Sequence, residues 1–159
     1  MEMQGEYVKE LTLRRLIDAP RPRVWEAWTE PRMVASWWVP KGMTMPVCEL
    51  DVRPGGRLLL HLSGYGNVNP VKGEFREVLK PQRLVFTNDG YPSVEATEPV
   101  TRSITTVTFE EAAGKTELHV HTGVLWTTPK AAQYLNGMDA TWNGELDNLA
   151  EMLRAASGG

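Results

Sequence analysis

The stretch Ala19-Pro-Arg-Pro-Arg-Val-Trp-Glu-Ala-Trp-Thr-Glu-Pro31, continued after Arg32 by Met33-Val-Ala-Ser-Trp-Trp-Val-Pro-Lys-Gly42, decides the fold of this chain. It places four of the six tryptophans in two short, proline-punctuated segments. Pro22 suits the first turn of a helix, where a missing N–H leaves no partner unsatisfied, and Val24, Trp25 and Trp28 then share one face. Pro31 stops that helix and starts a second, residues 32–37, which ends near Trp38-Val39-Pro40. Each indole carries on the order of 100 Å² or more of apolar surface, so helices this short and aromatic have to close over a core or a cavity.

On the N-terminal side, Leu11, Leu13 and Ile17 with polar residues between them predict a strand over residues 7–17, ended by Asp18-Ala19-Pro20. On the C-terminal side, short strands alternate with turn signals, the pattern of an antiparallel meander. Cys48, Leu50 and Val52 share a face of the first, and Arg53-Pro54-Gly55-Gly56 turns it into a strand at 57–63. Residues 64–70 read as loop, 71–78 as strand, Lys80-Pro81-Gln82 as turn and Arg83–Thr87 as strand, with 88–99 the longest loop. A hairpin about Ala112-Ala113-Gly114 joins strands at 101–110 and 115–126. From about Thr128 the period becomes helical, with Leu135, Met138, Trp142, Leu146, Leu149 and Leu153 on one face, which predicts a single helix of about 40 Å.

The chain has 159 residues and a formal net charge of −3, which suits one domain and argues against a nucleic-acid surface. Arg14, Arg15, Arg21, Arg23 and Arg32 gather near the N-terminus and read as a solvated face with local acidic partners. No apolar run is long enough to span a membrane, the N-terminus lacks the pattern of a secretion signal, and Cys48 is alone. These features predict a cytoplasmic protein without membrane insertion or internal disulfide, one domain over 1–159 with its core at about 7–155.

The order strand, two short helices, six antiparallel strands and long terminal helix resembles the helix-grip fold of the START-like superfamily. It is an α+β architecture in which a curved, antiparallel seven-stranded sheet wraps around a C-terminal helix. The motif series is closer still: Ala19-Pro20, Val24-Trp25, Ala27-Trp28-Thr29, Pro31, Trp37-Trp38, Pro40-Lys41-Gly42, Asp51, Arg53-Pro54-Gly55-Gly56, Gly73, Glu77, Arg83-Leu84, Thr108-Phe109-Glu110, Gly114-Lys115-Thr116, Trp142, Leu146-Asp147 and Leu149-Ala150. Over residues 11–153 it is similar to the family named for activators of the ATPase of the ninety-kilodalton heat-shock protein. The resemblance implies a container for a hydrophobic molecule, as in small bacterial members of this one domain, with no room for the N-terminal chaperone-binding domain of the eukaryotic co-chaperones. Val39 and Thr141 depart from the pattern, which has glycine at both places, and add bulk near the cavity mouth.

A curved sheet gripping a helix leaves space between them. The residues expected to line it are Trp37, Trp38 and Met43 at the mouth, Phe75, Glu77, Val107, Phe109 and Leu118 on the sheet, and Met138, Trp142 and Leu146 on the helix. Glu77 shares strand parity with Gly73 and Phe75, so it either faces the cavity or pairs at the strand end with Lys80 or Arg83. Asp51 and Arg53 read as supports of the Pro-Gly turn. His119 and His121 point to one face, opposite Leu118, Val120 and Val124, and so to the outside of the sheet, where a metal would need His61 or a neighbouring carboxylate besides. Cys48 reads as a buried, inert thiol. Phosphate-cradling loops, nucleophile elbows and zinc-spaced clusters are lacking.

The expected function is binding of a small hydrophobic or aromatic molecule between sheet and C-terminal helix, as carrier or sensor, with no cofactor, metal or catalytic residue and as a monomer or homodimer. Two alternatives stand beside it: a cyclase- or lyase-type enzyme in which Glu77 or Tyr65 moves a proton, and a chaperone-associated interaction module using surfaces at Trp37 and Trp38.

Overall fold

A computed structural model describes residues 7–158. Strand β1 (Lys9–Ile17) leads into helices α1 (Arg21–Thr29) and α2 (Pro31–Trp37). Glu30 joins the two helices: its N–H donates to Glu26 O and its carbonyl accepts from Val34 N, so Pro31 opens α2 without a lost bond. Then follow β2 (Thr44–Leu50), β3 (Arg57–Gly64), β4 (Asn67–Leu79), β5 (Arg83–Thr87), the two-residue β6 (Asp89–Gly90), β7 (Thr101–Ala112) and β8 (Lys115–Thr127). The order β1-β8-β7-β5-β4-β3-β2 forms one antiparallel sheet of seven strands, and β6 bridges β4 to β7 beyond the end of β5. Helix α3 (Met138–Gly158) closes the chain. This is the helix-grip arrangement. No helix among the described residues is long and apolar enough to cross a membrane.

Three local expectations are corrected. Residues 64–70 are not a loop: Tyr65 and Gly66 both have positive φ, which makes a tight two-residue turn, and β4 starts directly after it with Asn67 opposite Gly64. The long loop contains β6. The terminal helix does not run unbroken from Thr128, because Ala131–Gly137 is a 3₁₀ turn and α3 begins only at Met138. Asn136-Gly137 is a weak helix-forming pair, and it sits at that junction.

The core lies between the sheet and the three helices and is dominated by rings. Trp28 stands at its centre, with ring centroids 4.7 Å from Trp37, 6.1 Å from Trp38, 6.4 Å from Phe109 and 6.5 Å from Trp142. Trp37 donates its indole N–H to Ala27 O at 2.7 Å, which locks α2 against α1. Arg15 ties β1 to α3 through Asp147 at 2.9 Å and Asn143 at 3.1 Å, and Arg14 pairs with Glu117 at 3.2 Å. Arg14 and Arg15 thus find acidic partners on neighbouring elements, whereas Arg21 donates to Phe109 O at 3.5 Å.

Candidate functional site

The aromatic core fills the interior toward β1, β7 and β8 but not toward β3, β4 and β6, where a cavity of about 440 Å³ lies beneath the start of α3. Leu60 and Leu62 of β3 and Asn69, Pro70 and Val71 of β4 form its floor. Gly90, Tyr91, Val100 and Thr101, around β6 and the start of β7, form one side. Tyr134, Leu135, Met138, Thr141, Trp142 and Glu145 form the roof, and Trp38, Pro40 and Met43 the remaining wall. The surface is mainly apolar, with convergent polar groups, the usual make-up of a small-molecule site. Asn88 also reaches the cavity; its side chain accepts from the buried Thr105 hydroxyl at 3.0 Å, which in turn is 3.0 Å from that of Thr122. That chain satisfies polar atoms otherwise stranded inside the sheet.

Glu145 is the chemically distinctive member. Its side chain is buried, 6% exposed, on the inward stripe of α3 beside Trp142 and Leu146. Burial pushes its carboxyl up to about 8, and the Trp38 indole N–H, which favours the carboxylate, offsets this only in part. No lysine, arginine or histidine nitrogen lies within 4.0 Å of it among the described residues.

Of the residues expected to line the cavity, Trp38, Met43, Met138 and Trp142 come together there. Trp37, Phe75, Val107, Phe109, Leu118 and Leu146 are buried in the core instead. Phe75 packs on Phe86, and Phe109 packs on Trp25 and Trp28. Glu77 does not face the interior. A bulge in β4 between Phe75 and Glu77 shifts the register against β5, breaks the parity that the sequence suggests, and leaves Glu77 paired with Arg83 at 3.1 Å. Tyr65, the other proton carrier considered, is 82% exposed at the turn and donates its hydroxyl to Lys41 O at 2.8 Å. Nor do Trp37 and Trp38 form an exposed interaction surface, since both are buried.

Glu145, Leu60, Leu62, Tyr91 and Tyr134 escaped the sequence reading. Glu145 had a signal: it lies three residues after Trp142 and four before Leu149, so a carboxylate occupies the apolar seam of α3. Leu58, Leu60 and Leu62 alternate along β3, a period that marks an inner face. Tyr91 and Tyr134 lie in a loop and a 3₁₀ turn, where no period operates.

On the outer face of the sheet Glu110, Glu117 and His119 bring their ligand atoms within 4.8 Å of one another. His119 and His121 lie on the outer face, where His121 Nε2 is 2.8 Å from Glu10 and His119 Nε2 is 3.5 Å from Glu117 and 4.0 Å from Glu110. Glu117 is already engaged by Arg14. Arg53 pairs with Asp51 at 2.9 Å across the Pro-Gly turn. Cys48 is half-buried, and burial, with a lesser contribution from Glu49, pushes its thiol up to about 11.

The family model described as Activator of Hsp90 ATPase homolog 1-like protein matches residues 18–154, nearly the whole of the helix-grip frame. The chain belongs to this family. No curated protein matches it in sequence. Among solved structures, a protein of Nitrosomonas europaea is similar at a TM-score of 0.76 and 24% identity, covering 99% of this chain and 100% of its own. A Chromobacterium violaceum protein superposes at 0.75 with 24% identity over 91% of this chain and 96% of that one. A Mycobacterium smegmatis protein does so at 0.75 with 23% identity over 91% and 90%. At these identities the likeness establishes the fold. Thr141 lines the cavity, and Val39 lines a groove adjoining it through Pro40, Thr141 and Glu145.

Proposed function

We propose that the chain binds a small hydrophobic or aromatic molecule in the cavity between the sheet and α3, as a carrier or sensor. The observation that carries this reading is the contrast within one interior: dense aromatic packing at one end and about 440 Å³ of mainly apolar space at the other. Burying roughly 200 Å² of apolar ligand surface contributes about 5 kcal/mol, which alone supports binding only in the sub-millimolar range. Tighter binding needs a polar contact, and Glu145 and Asn88 are the candidates for it.

The test is native mass spectrometry of freshly purified protein, followed by extraction and identification of what is released. A discrete retained mass that Leu62→Trp, which narrows the cavity, retains to a lesser extent is the expected result. A clean apo mass together with no thermal stabilisation by a panel of aromatic and aliphatic compounds would overturn the reading.

A second reading, a cyclase- or lyase-type enzyme, is favoured by one observation: a carboxyl raised to about 8 inside a cavity suits proton transfer near neutral pH. It makes Glu145, in place of Glu77, the acid–base group. Turnover of a retained molecule that Glu145→Gln abolishes without unfolding the protein would support it; a retained molecule released unchanged counts against it.

A further inference from the structure

We propose that the ligand of this cavity is an organic amine in its ammonium form, an apolar body with a cationic end that pairs with Glu145. The proposal rests on the ligand-binding reading above and names the class of molecule. Its basis is an imbalance of charge. Glu145 is 6% exposed and lines the cavity, yet among the described residues no lysine, arginine or histidine nitrogen lies within 4.0 Å of it.

The neighbours from each packed element bear this out. Lys41 is exposed and lines the adjoining groove, which Glu145 and Asp147 also line, with no ion pair to Glu145 within 4.0 Å. Lys72 sits over the Tyr91 ring, 4.6 Å from its centroid. Asp89 of β6 is directed to Arg102, 3.9 Å away, while its neighbours Asn88 and Gly90 line the cavity. The 3₁₀ turn contributes Leu135 and, as its one titratable group, the phenol of Tyr134, and the residue that follows α2 is Trp38.

A buried carboxylate without a partner is strongly unfavourable, so the empty site holds its proton, in keeping with a carboxyl raised to about 8. A ligand ammonium supplies the missing charge and a charge-assisted hydrogen bond. The faces of Trp38 and Trp142 add attraction for a cation, and their area suits an apolar body. A neutral guest gains only the apolar part, and an anion is repelled. Since the empty carboxyl is protonated at neutral pH and the paired one is ionised, binding an ammonium expels a proton from Glu145.

Isothermal titration calorimetry with 4-phenylbutylamine and its neutral analogue 4-phenyl-1-butanol tests this, at pH 6.5 in two buffers of different ionisation enthalpy. The amine is expected to bind at least about tenfold tighter than the alcohol, with release of about one proton per molecule bound. Its affinity should rise with pH from 6 to 8 and level off above, and Glu145→Gln should bring the two ligands to similar affinity. The proton count is read on the wild-type protein, so it does not depend on how the variant folds. Equal affinities, binding without proton release, or an amine preference that survives Glu145→Gln would each overturn the amine assignment while leaving the cavity reading intact. Binding of neither compound would overturn both.

Discussion

Glu145 carries two opposed demands, one from the fold and one from the cavity. In the unfolded chain its carboxyl titrates at the ordinary 4.5, whereas burial in the native state moves it to about 8. Between those values the folded protein binds a proton that the unfolded chain has lost, so stability falls as pH rises from about 5 to 8 and is flat above. Glu145→Gln keeps the shape without the charge. It is expected to flatten that part of the pH dependence and to be the more stable form at pH 8 by on the order of 4 kcal/mol. Urea titrations of both proteins at pH 5 and pH 8 check this, and parallel slopes would mean that the carboxylate stays hydrated. The indoles make a second contrast. Trp37 has its N–H bonded to Ala27 O, whereas the buried Trp28 N–H has no partner. Trp37→Phe is therefore expected to lose about 1–2 kcal/mol more stability than Trp28→Phe, because only the former strands a carbonyl. Equal losses in denaturant unfolding would show that ring packing alone sets both. Trp28 was legible in the sequence on a buried helix face, whereas Trp37 was expected at the cavity mouth, and its hydrogen bond was not legible because the acceptor lies on another element.

The turns show where sequence patterns reach and where they stop. Arg53-Pro54-Gly55-Gly56 is legible from its composition, but the two glycines do different work. Gly55 has φ +84 with nothing within 4 Å of an added Cβ, so Gly55→Ala meets only left-handed backbone strain of about 1 kcal/mol. Gly56 has no such φ, yet a Cβ there would collide with the Asp51 carbonyl oxygen, so the backbone has to move. Gly56→Ala is expected to be destabilised by roughly 3 kcal/mol or more, the scale of a serious steric clash. Thermal or urea unfolding of the two variants separates the effects, and similar losses would refute the distinction. Tyr65-Gly66 escaped detection because its first turn position holds a tyrosine at φ 54, an uncommon residue there, and its hydroxyl contact with Lys41 O lies 24 residues away in sequence. Glu77 went astray for a related reason: strand parity holds only while the ladder is regular, and the bulge after Phe75 is set by pairing with β5. Elements are written in local periods, whereas bulges and tight turns depend on what the next strand does.

At the scale of the molecule, the two halves of the interior differ in packing although both are apolar. Around Trp28 the rings and Leu118 fill the space between the sheet and the helices, while near β6 the 3₁₀ turn and the start of α3 stand off from β3 and β4. The frame was legible because strand order and helix placement follow from the motif series and from hydrophobic period. The hollow was not, since the same alternation of Leu58, Leu60 and Leu62 would serve a filled or an empty space. The difference has a thermodynamic signature. Leu118→Ala removes methylenes from a packed site, leaves a new void and is expected to lose about 3–4 kcal/mol. Leu62→Ala enlarges a space already present, forfeits fewer contacts, and is expected to lose about 1 kcal/mol, nearer the transfer term alone. Denaturant unfolding of both variants at one pH reads the ratio directly. If Leu62→Ala proved as damaging as Leu118→Ala, the sheet would have to close on α3 in solution with no room for a guest; the expected difference of roughly three- to fourfold leaves the space open for one.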